Sequence, residues 1–147
     1  MTAGKHGAAA HVAGPAEFSR PGHDLRPWWS VIASLLVAAI FAQAVFAGLM
    51  LSGVEWARAA HSVGAVVLIA ATLAAGIAAV ITLRRVAHGL KFGFTLLLLA
   101  VVVSLQTAVG KSMVEGANLM WLHVPLGVAL VGFATQALAG ARRLGGA

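Results

Sequence analysis

The sequence predicts an all-α integral membrane protein: an up-down-up-down four-helix bundle made of two repeated helical hairpins. Three observations lead there. Of its 147 residues 61% are hydrophobic and only 10% charged, with a mean hydropathy of +0.95, whereas a soluble domain carries about a quarter charged residues. Four stretches each approach the roughly 20 apolar residues needed to cross the hydrocarbon core. The connections between them are short, which makes chain neighbours antiparallel.

Residues 1–27 ("MTAGKHGAAAHVAGPAEFSRPGHDLRP") are rich in Gly, Ala, Pro and His without an apolar period, and read as a disordered cytoplasmic tail. The irregular spacing of His6, His11 and His23 argues against a metal site there. The transmembrane domain covers 28–141, with spans at approximately 29–51, 61–83, 92–110 and 121–139. The first run is too long for a signal-peptide core and reads as a retained span. On this reading Pro125 falls in the first turn of the fourth span, where a missing N–H is tolerated. Residues 142–147 form a short cytoplasmic tail. The chain has no cysteine, which excludes disulfides, iron–sulfur clusters and thiolate metal sites.

The net charge of +6 is not a nucleic-acid footprint, because its distribution alternates. Lys5, Arg20 and Arg26 precede the first span, Arg84, Arg85 and Lys91 lie between the second and third, and Arg142 and Arg143 follow the fourth. The other two connections hold one cation each, Arg58 and Lys111, offset by Glu55 and Glu115. This positive-inside pattern predicts both termini in the cytoplasm and a cell inner (plasma) membrane location. Trp28 and Trp29 then mark the inner boundary, Trp56 and Trp121 the outer one. His88 belongs to the basic, lipid-facing surface.

The first hairpin resembles the second. Each has an apolar run, a glutamine, a nearby glycine, a loop with one glutamate and one cation, and a histidine opening the next span. Gln43 to His61 is eighteen residues and Gln106 to His123 is seventeen. Repeats of the same orientation are related by an axis along the membrane normal. The second and fourth spans then lie diagonally across the bundle, with His61 and His123 at one depth near the outer face.

Two facing imidazoles suit the two axial positions of a haem iron, and bundle cores are where such cofactors are built. The faces agree. Gly64, Ala65, Leu68, Thr72 and Ala75 follow His61 at helical spacing, and Gly127, Leu130 and Ala134 follow His123. Small residues beside a ligand leave room for a ring, although they also let bare helices pack closely. Gln43 and Gln106 either hydrogen-bond a ligand imidazole or join two helices, with the joining role favoured. Arg58 and Lys111 are on the side to pair with haem propionates, or serve solubility as exposed loop cations. Zinc would want three or four ligands, with only Glu55 and Glu115 to add. No nucleophile with an activating base is found.

With "ARAAHSVGA" opening the second span, "SLQTAVG" closing the third and "LHVPLGVALVG" opening the fourth, the chain resembles one four-helix half of haem A synthase. The resemblance covers about 29–139. It implies a four-helix fold with His61 and His123 as haem b ligands, and matches Gln106 and Gly110 to the end of that family's third span. In the family's catalytic half a glutamate stands three residues before the first histidine, which is followed by arginine. Here Glu55 is six residues ahead, Ser62 follows His61, and the cysteine pair of the outer loop is absent. The resemblance therefore carries haem binding and leaves catalysis open.

The function expected is a haem b-binding membrane protein with bis-histidine ligation, engaged in electron transfer or haem handling in a respiratory context. Quinone, a respiratory complex or a second copy of the chain are its expected partners beyond the lipid bilayer. The competing expectation is a haem-free accessory or structural subunit of a larger respiratory complex. Transport would ask for a charged mid-span residue or a broken helix, and the sequence offers neither.

Overall fold

The computed structural model describes residues 26–144, so His6, His11 and His23 lie outside the described chain. The described residues form four helices: α1 (Arg26–Leu51), α2 (Glu55–Thr82), α3 (Gly89–Val114) and α4 (Met120–Leu144). Each is long and apolar enough to cross a membrane. Their outward faces carry large apolar side chains in the open, among them Leu35, Phe41, Val66, Phe94 and Val128. A soluble molecule does not leave such a surface to water.

Every helix packs on its chain neighbours, and α4 closes the ring onto α1; α1 and α3, like α2 and α4, make no backbone contact across the diagonal. The diagonal placement of the two histidine-bearing helices follows from this order. α1 and α3 stop in the same way. Gly53 (φ 85°) and Gly116 (φ 104°) take the left-handed conformation. Their N–H groups bond the carbonyls of Met50 and Met113, while those of Val54 and Ala117 reach back to Leu49 and Ser112. Both are Schellman stops, in which a left-handed glycine lets the chain turn and satisfies orphan carbonyls. The two glycines are 63 residues apart, as are Gln43 and Gln106, Met50 and Met113, and Gly64 and Gly127. The repeat is thus carried by the turn chemistry as well as by the glutamines.

The helices begin and end differently from the apolar runs. α1 starts at Arg26, inside the segment assigned to the tail, and α4 continues to Leu144. α2 opens at Glu55, so His61 lies in its second turn rather than at its start. Arg58 and Lys111, expected in loops, are helical residues of α2 and α3. Pro125 lies inside α4, past its first turn, and brings no N–H to the carbonyl of Trp121. Hydropathy marks where apolar side chains begin, whereas helical hydrogen bonding runs on through polar turns. An acid such as Glu55 in the first turn also complements the helix dipole.

The core is confined to one end. Its members are Trp29, Ala33, Leu36 and Ile40 of α1, Leu68 and Ala79 of α2 with Leu83 just beyond, Phe92, Leu96, Leu99 and Val103 of α3, and Leu130, Ala134, Ala137, Ala141 and Leu144 of α4. They share the end that bears the α2–α3 connection with Arg84, Arg85 and Lys91, termed here the basic end. An edge-on contact of Trp29 with Phe92, ring centres 5.7 Å apart, closes it. α2 and α3 cross there through glycines: a Cβ on Gly76 would stand 2.9 Å from the backbone N of Leu97, and one on Gly93 2.9 Å from that of Val80. Small residues are what let helices approach so closely. In the distal half, towards the hairpin tips, the inward positions change character. Gln43, His61, Gly64, Gln106, Gly110, His123 and Gly127 are only half-buried, and Ala57 is the one buried residue described there. The bundle is tight at the basic end and loosens beyond Ile40, Leu68, Val103 and Leu130.

Candidate functional site

The loosened half contains both histidines. The ring Nδ1 of His61 lies 3.1 Å from the backbone carbonyl of Gln43 on the adjacent helix. A carbonyl only accepts, so this contact selects the tautomer with a proton on Nδ1. In the neutral ring, Nε2 is then the nitrogen that carries the lone pair. A ligand histidine is commonly oriented in this way, by an N–H bond from its other nitrogen. Gly64, one turn further along α2, makes room for the Gln43 side chain, because a Cβ there would collide with Gln43 Nε2.

The second half uses the same residue types in reversed roles. The Nε2 amide of Gln106 donates to the backbone carbonyl of His123 over 2.8 Å, tying α3 to α4. Gly127 accommodates that amide, since a Cβ there would lie 3.2 Å from Gln106 Nε2. Gly110 faces the His123 ring itself, and a Cβ on it would stand 3.0 Å from Cε1. No backbone carbonyl takes the place that Gln43 has beside His61. His123 Nδ1 is buried without a partner, and so are Oε1 of Gln43 and Oε1 of Gln106. Buried polar atoms are rarely left unpaired, and three among the described residues of this half make it the candidate site.

His61 and His123 stand on the diagonal helices α2 and α4, whose backbones make no contact. Leu68 and Thr72 of α2 and Leu130 and Ala134 of α4, expected on the histidine faces, are buried beneath them. Thr72 returns its hydroxyl to the carbonyls of Leu68 and Ile69 and so offers the site no free donor. Arg58 is exposed and lines a cavity of about 200 Å³ at the α1–α2 tip with Met50, Gly53, Val54 and Glu55. Lys111 is exposed at the end of α3.

Among the described residues no three of His, Cys, Asp and Glu come together to hold a metal ion. A bare zinc ion therefore lacks the ligand count it needs, whereas a haem iron asks the protein for two. Sequence reasoning favoured a helix-joining role for the two glutamine side chains, which Gln106 fills, and missed the backbone carbonyl of Gln43 as the partner of His61.

The Gln106 bond gives a direct check. Gln106→Leu keeps the volume and removes the donor, so it should lower bundle stability by about 0.6–1.7 kcal/mol, the range of interhelical hydrogen bonds in membrane helices. Reversible unfolding of the detergent-solubilised protein measures this, and an unchanged value would mean that the bond does not hold α3 to α4.

No family model, curated protein or solved structure matches the chain.

Proposed function

We propose that the chain is a multi-pass protein of the cell inner (plasma) membrane, with both termini cytoplasmic, that binds haem b between His61 and His123 near the outer face. Its role on this reading is electron transfer or haem handling in a respiratory context. The observation that carries it is a half-buried histidine on each of two diagonal helices, both in the half of the bundle outside the buried core. The fit is supported further by Gly64, Gly110 and Gly127, where any Cβ would press on a site residue. The three unpartnered buried polar atoms and the Nδ1 contact that leaves His61 Nε2 free point the same way. The resemblance to a half of haem A synthase adds the motifs quoted above.

Each residue has a separable task. His61, held by the Gln43 carbonyl, presents Nε2 in a fixed orientation. His123, backed by Gly110 and anchored through its own carbonyl by Gln106, supplies the second imidazole. Leu68, Leu130 and Ala134 floor the site with apolar surface and exclude water from the basic end. Arg58 and Lys111 stand at the distal end as cations for propionates. The group itself would supply a reversible one-electron change at iron. Orientation in the membrane follows from the basic end, with Arg84, Arg85, Lys91, Arg142 and Arg143, lying inside.

The test is the absorption spectrum of the detergent-purified protein, oxidised and then reduced with dithionite, with haem counted per chain. A low-spin b-type spectrum near one haem per chain is expected. A colourless protein after expression with ample haem would overturn the reading and leave the accessory-subunit expectation in its place.

A further inference from the structure

The outer groove between α3 and α4 carries two cations at the basic end. Gly140 of α4 stands level with Phe92 of α3, since a Cβ on it would lie 3.5 Å from Phe92 Cδ2. Lys91 adjoins Phe92, and Arg143 lies one turn beyond Gly140. The helices are antiparallel, so both steps lead toward the basic end. Successive helical residues are about 100° apart, which fixes the flank each one takes. On α3, Gly93 packs on Val80 of α2, so Lys91, on the other side of Phe92, lies outside toward α4. On α4, Ala137, Ala141 and Leu144 are buried. Arg143 falls outside them on the Gly140 flank, which meets α3, and Arg142 on the opposite flank, toward α1. Lys91 and Arg143 are both exposed.

Helical side chains lean toward the N-terminus of their own helix. Arg143, the nearer of the two to the bundle end, leans inward, and Lys91, the deeper, leans outward. Their charges thus approach one depth. Gln136, two turns before Arg143, is exposed on the same flank of α4. At about its level on α3 is Thr95, whose hydroxyl is taken by the Lys91 carbonyl. Exposed hydroxyls elsewhere on the outer surface, such as Ser34, Ser62 and Thr135, likewise return to carbonyls of their own helices. The Gln136 amide asks for a partner outside the helix, because an unpaired polar group is costly in hydrocarbon. It stands about 6 Å deeper than Gly140, by the rise of four residues, and so below Trp29, which meets Phe92 edge-on. Tryptophan marks the headgroup level, which puts the amide near the ester carbonyls of a phospholipid. Two turns deeper, Ala129 is small and exposed, and the partly buried Val102 of α3 stands at its level. Among the described residues the carboxylates Glu55 and Glu115 both lie at the distal end. Positive charge, an exposed amide and an apolar trough therefore follow one another down the groove.

We propose that this groove binds one anionic phospholipid: its phosphodiester lies between Lys91 and Arg143, an ester carbonyl accepts from Gln136, and an acyl chain runs past Val102 and Ala129. Basic pockets between transmembrane helices are a setting in which anionic headgroups are held. A zwitterionic lipid fits less well, because its own ammonium offsets the phosphate charge. The inference rests on the membrane-spanning part of the proposed function and is independent of haem.

The experiment titrates the full-length, delipidated protein in detergent with phosphatidylglycerol or phosphatidylcholine and counts bound lipid by native mass spectrometry. One phosphatidylglycerol per chain is expected, held about tenfold or more tighter than phosphatidylcholine, as two cations at an anionic headgroup require. Lys91→Gln and Arg143→Gln should each weaken phosphatidylglycerol about fivefold, the weight of one cation. Arg142→Gln removes the same charge from the other flank and should stay within about twofold, since charges beyond a screening length count little. Gln136→Leu should weaken both lipids about twofold or more, because the ester carbonyl is common to both. Excess inorganic phosphate should displace neither, as it has no acyl chain. Equal affinity for the two lipids, equal effects of Arg142→Gln and Arg143→Gln, insensitivity to Gln136→Leu, or displacement by phosphate would each overturn the proposal. A colourless protein that still selects phosphatidylglycerol would sink the haem reading and leave this one standing.

Discussion

On the proposed haem reading, alanine at either His61 or His123 should abolish the low-spin b-type spectrum while leaving the helices intact. The separation follows from where the packing lies. The core that holds the four helices together runs from Trp29 and Phe92 to Ile40 and Leu130, and neither imidazole belongs to it. Loss of an outer-shell partner costs a metal site roughly 10–100-fold in affinity, and loss of a ligand should exceed that. The two variants should also differ. His61→Ala removes the ring held by the Gln43 carbonyl, the better oriented of the pair, whereas His123→Ala removes one whose Nδ1 has no partner. A residual high-spin spectrum, with one ligand left, is therefore expected more strongly in His123→Ala. Haem content and circular dichroism measured on the same samples decide it. Full haem retention in either variant would remove that histidine from the site.

The second large effect is expected at the α2–α3 crossing. Gly76→Val or Gly93→Val should each destabilise the bundle by about 1–3 kcal/mol or more, the range for overpacking a close-packed interior. The added Cβ would meet the backbone N of Leu97 or of Val80 at 2.9 Å. A flexible side chain can give way at such a distance; a helix backbone can do so only by moving the helix. Gly48→Ala and Gly132→Ala are the matched controls, because a Cβ at either position meets nothing within 4 Å. Thermal unfolding followed by circular dichroism should separate the two groups. If all four variants melt together, the crossing is not a close backbone contact.

How much of this could be read from the sequence depends on the kind of signal. Four helices and their chain order were legible because apolar runs and short connections leave few alternatives. His61 and His123 stood out as candidates because an imidazole among apolar residues is conspicuous. The onset of α2 at Glu55 was not legible, because hydropathy does not report backbone hydrogen bonding. The reversed roles of the two glutamines could not be read either, since Gln43 acts through its backbone carbonyl and Gln106 through its side-chain amide. The dependence of α2 and α3 on Gly76 and Gly93 was equally hidden. Neither is the sole glycine of its helix, and only the positions of Leu97 and Val80 set them apart.

The uneven packing of the bundle has a consequence for how anything large reaches the histidines. Local opening costs least where few apolar contacts must be broken, and here that is at the hairpin tips, beyond Ile40, Leu68, Val103 and Leu130. The basic end can remain a clamp while the tips breathe apart around it, in the manner of a clothes peg whose spring lies at Trp29, Phe92 and the two glycines. On the proposed haem reading, admission of a wide, flat guest would then require no unfolding. Its rate is set by the distal half and the survival of the fold by the other.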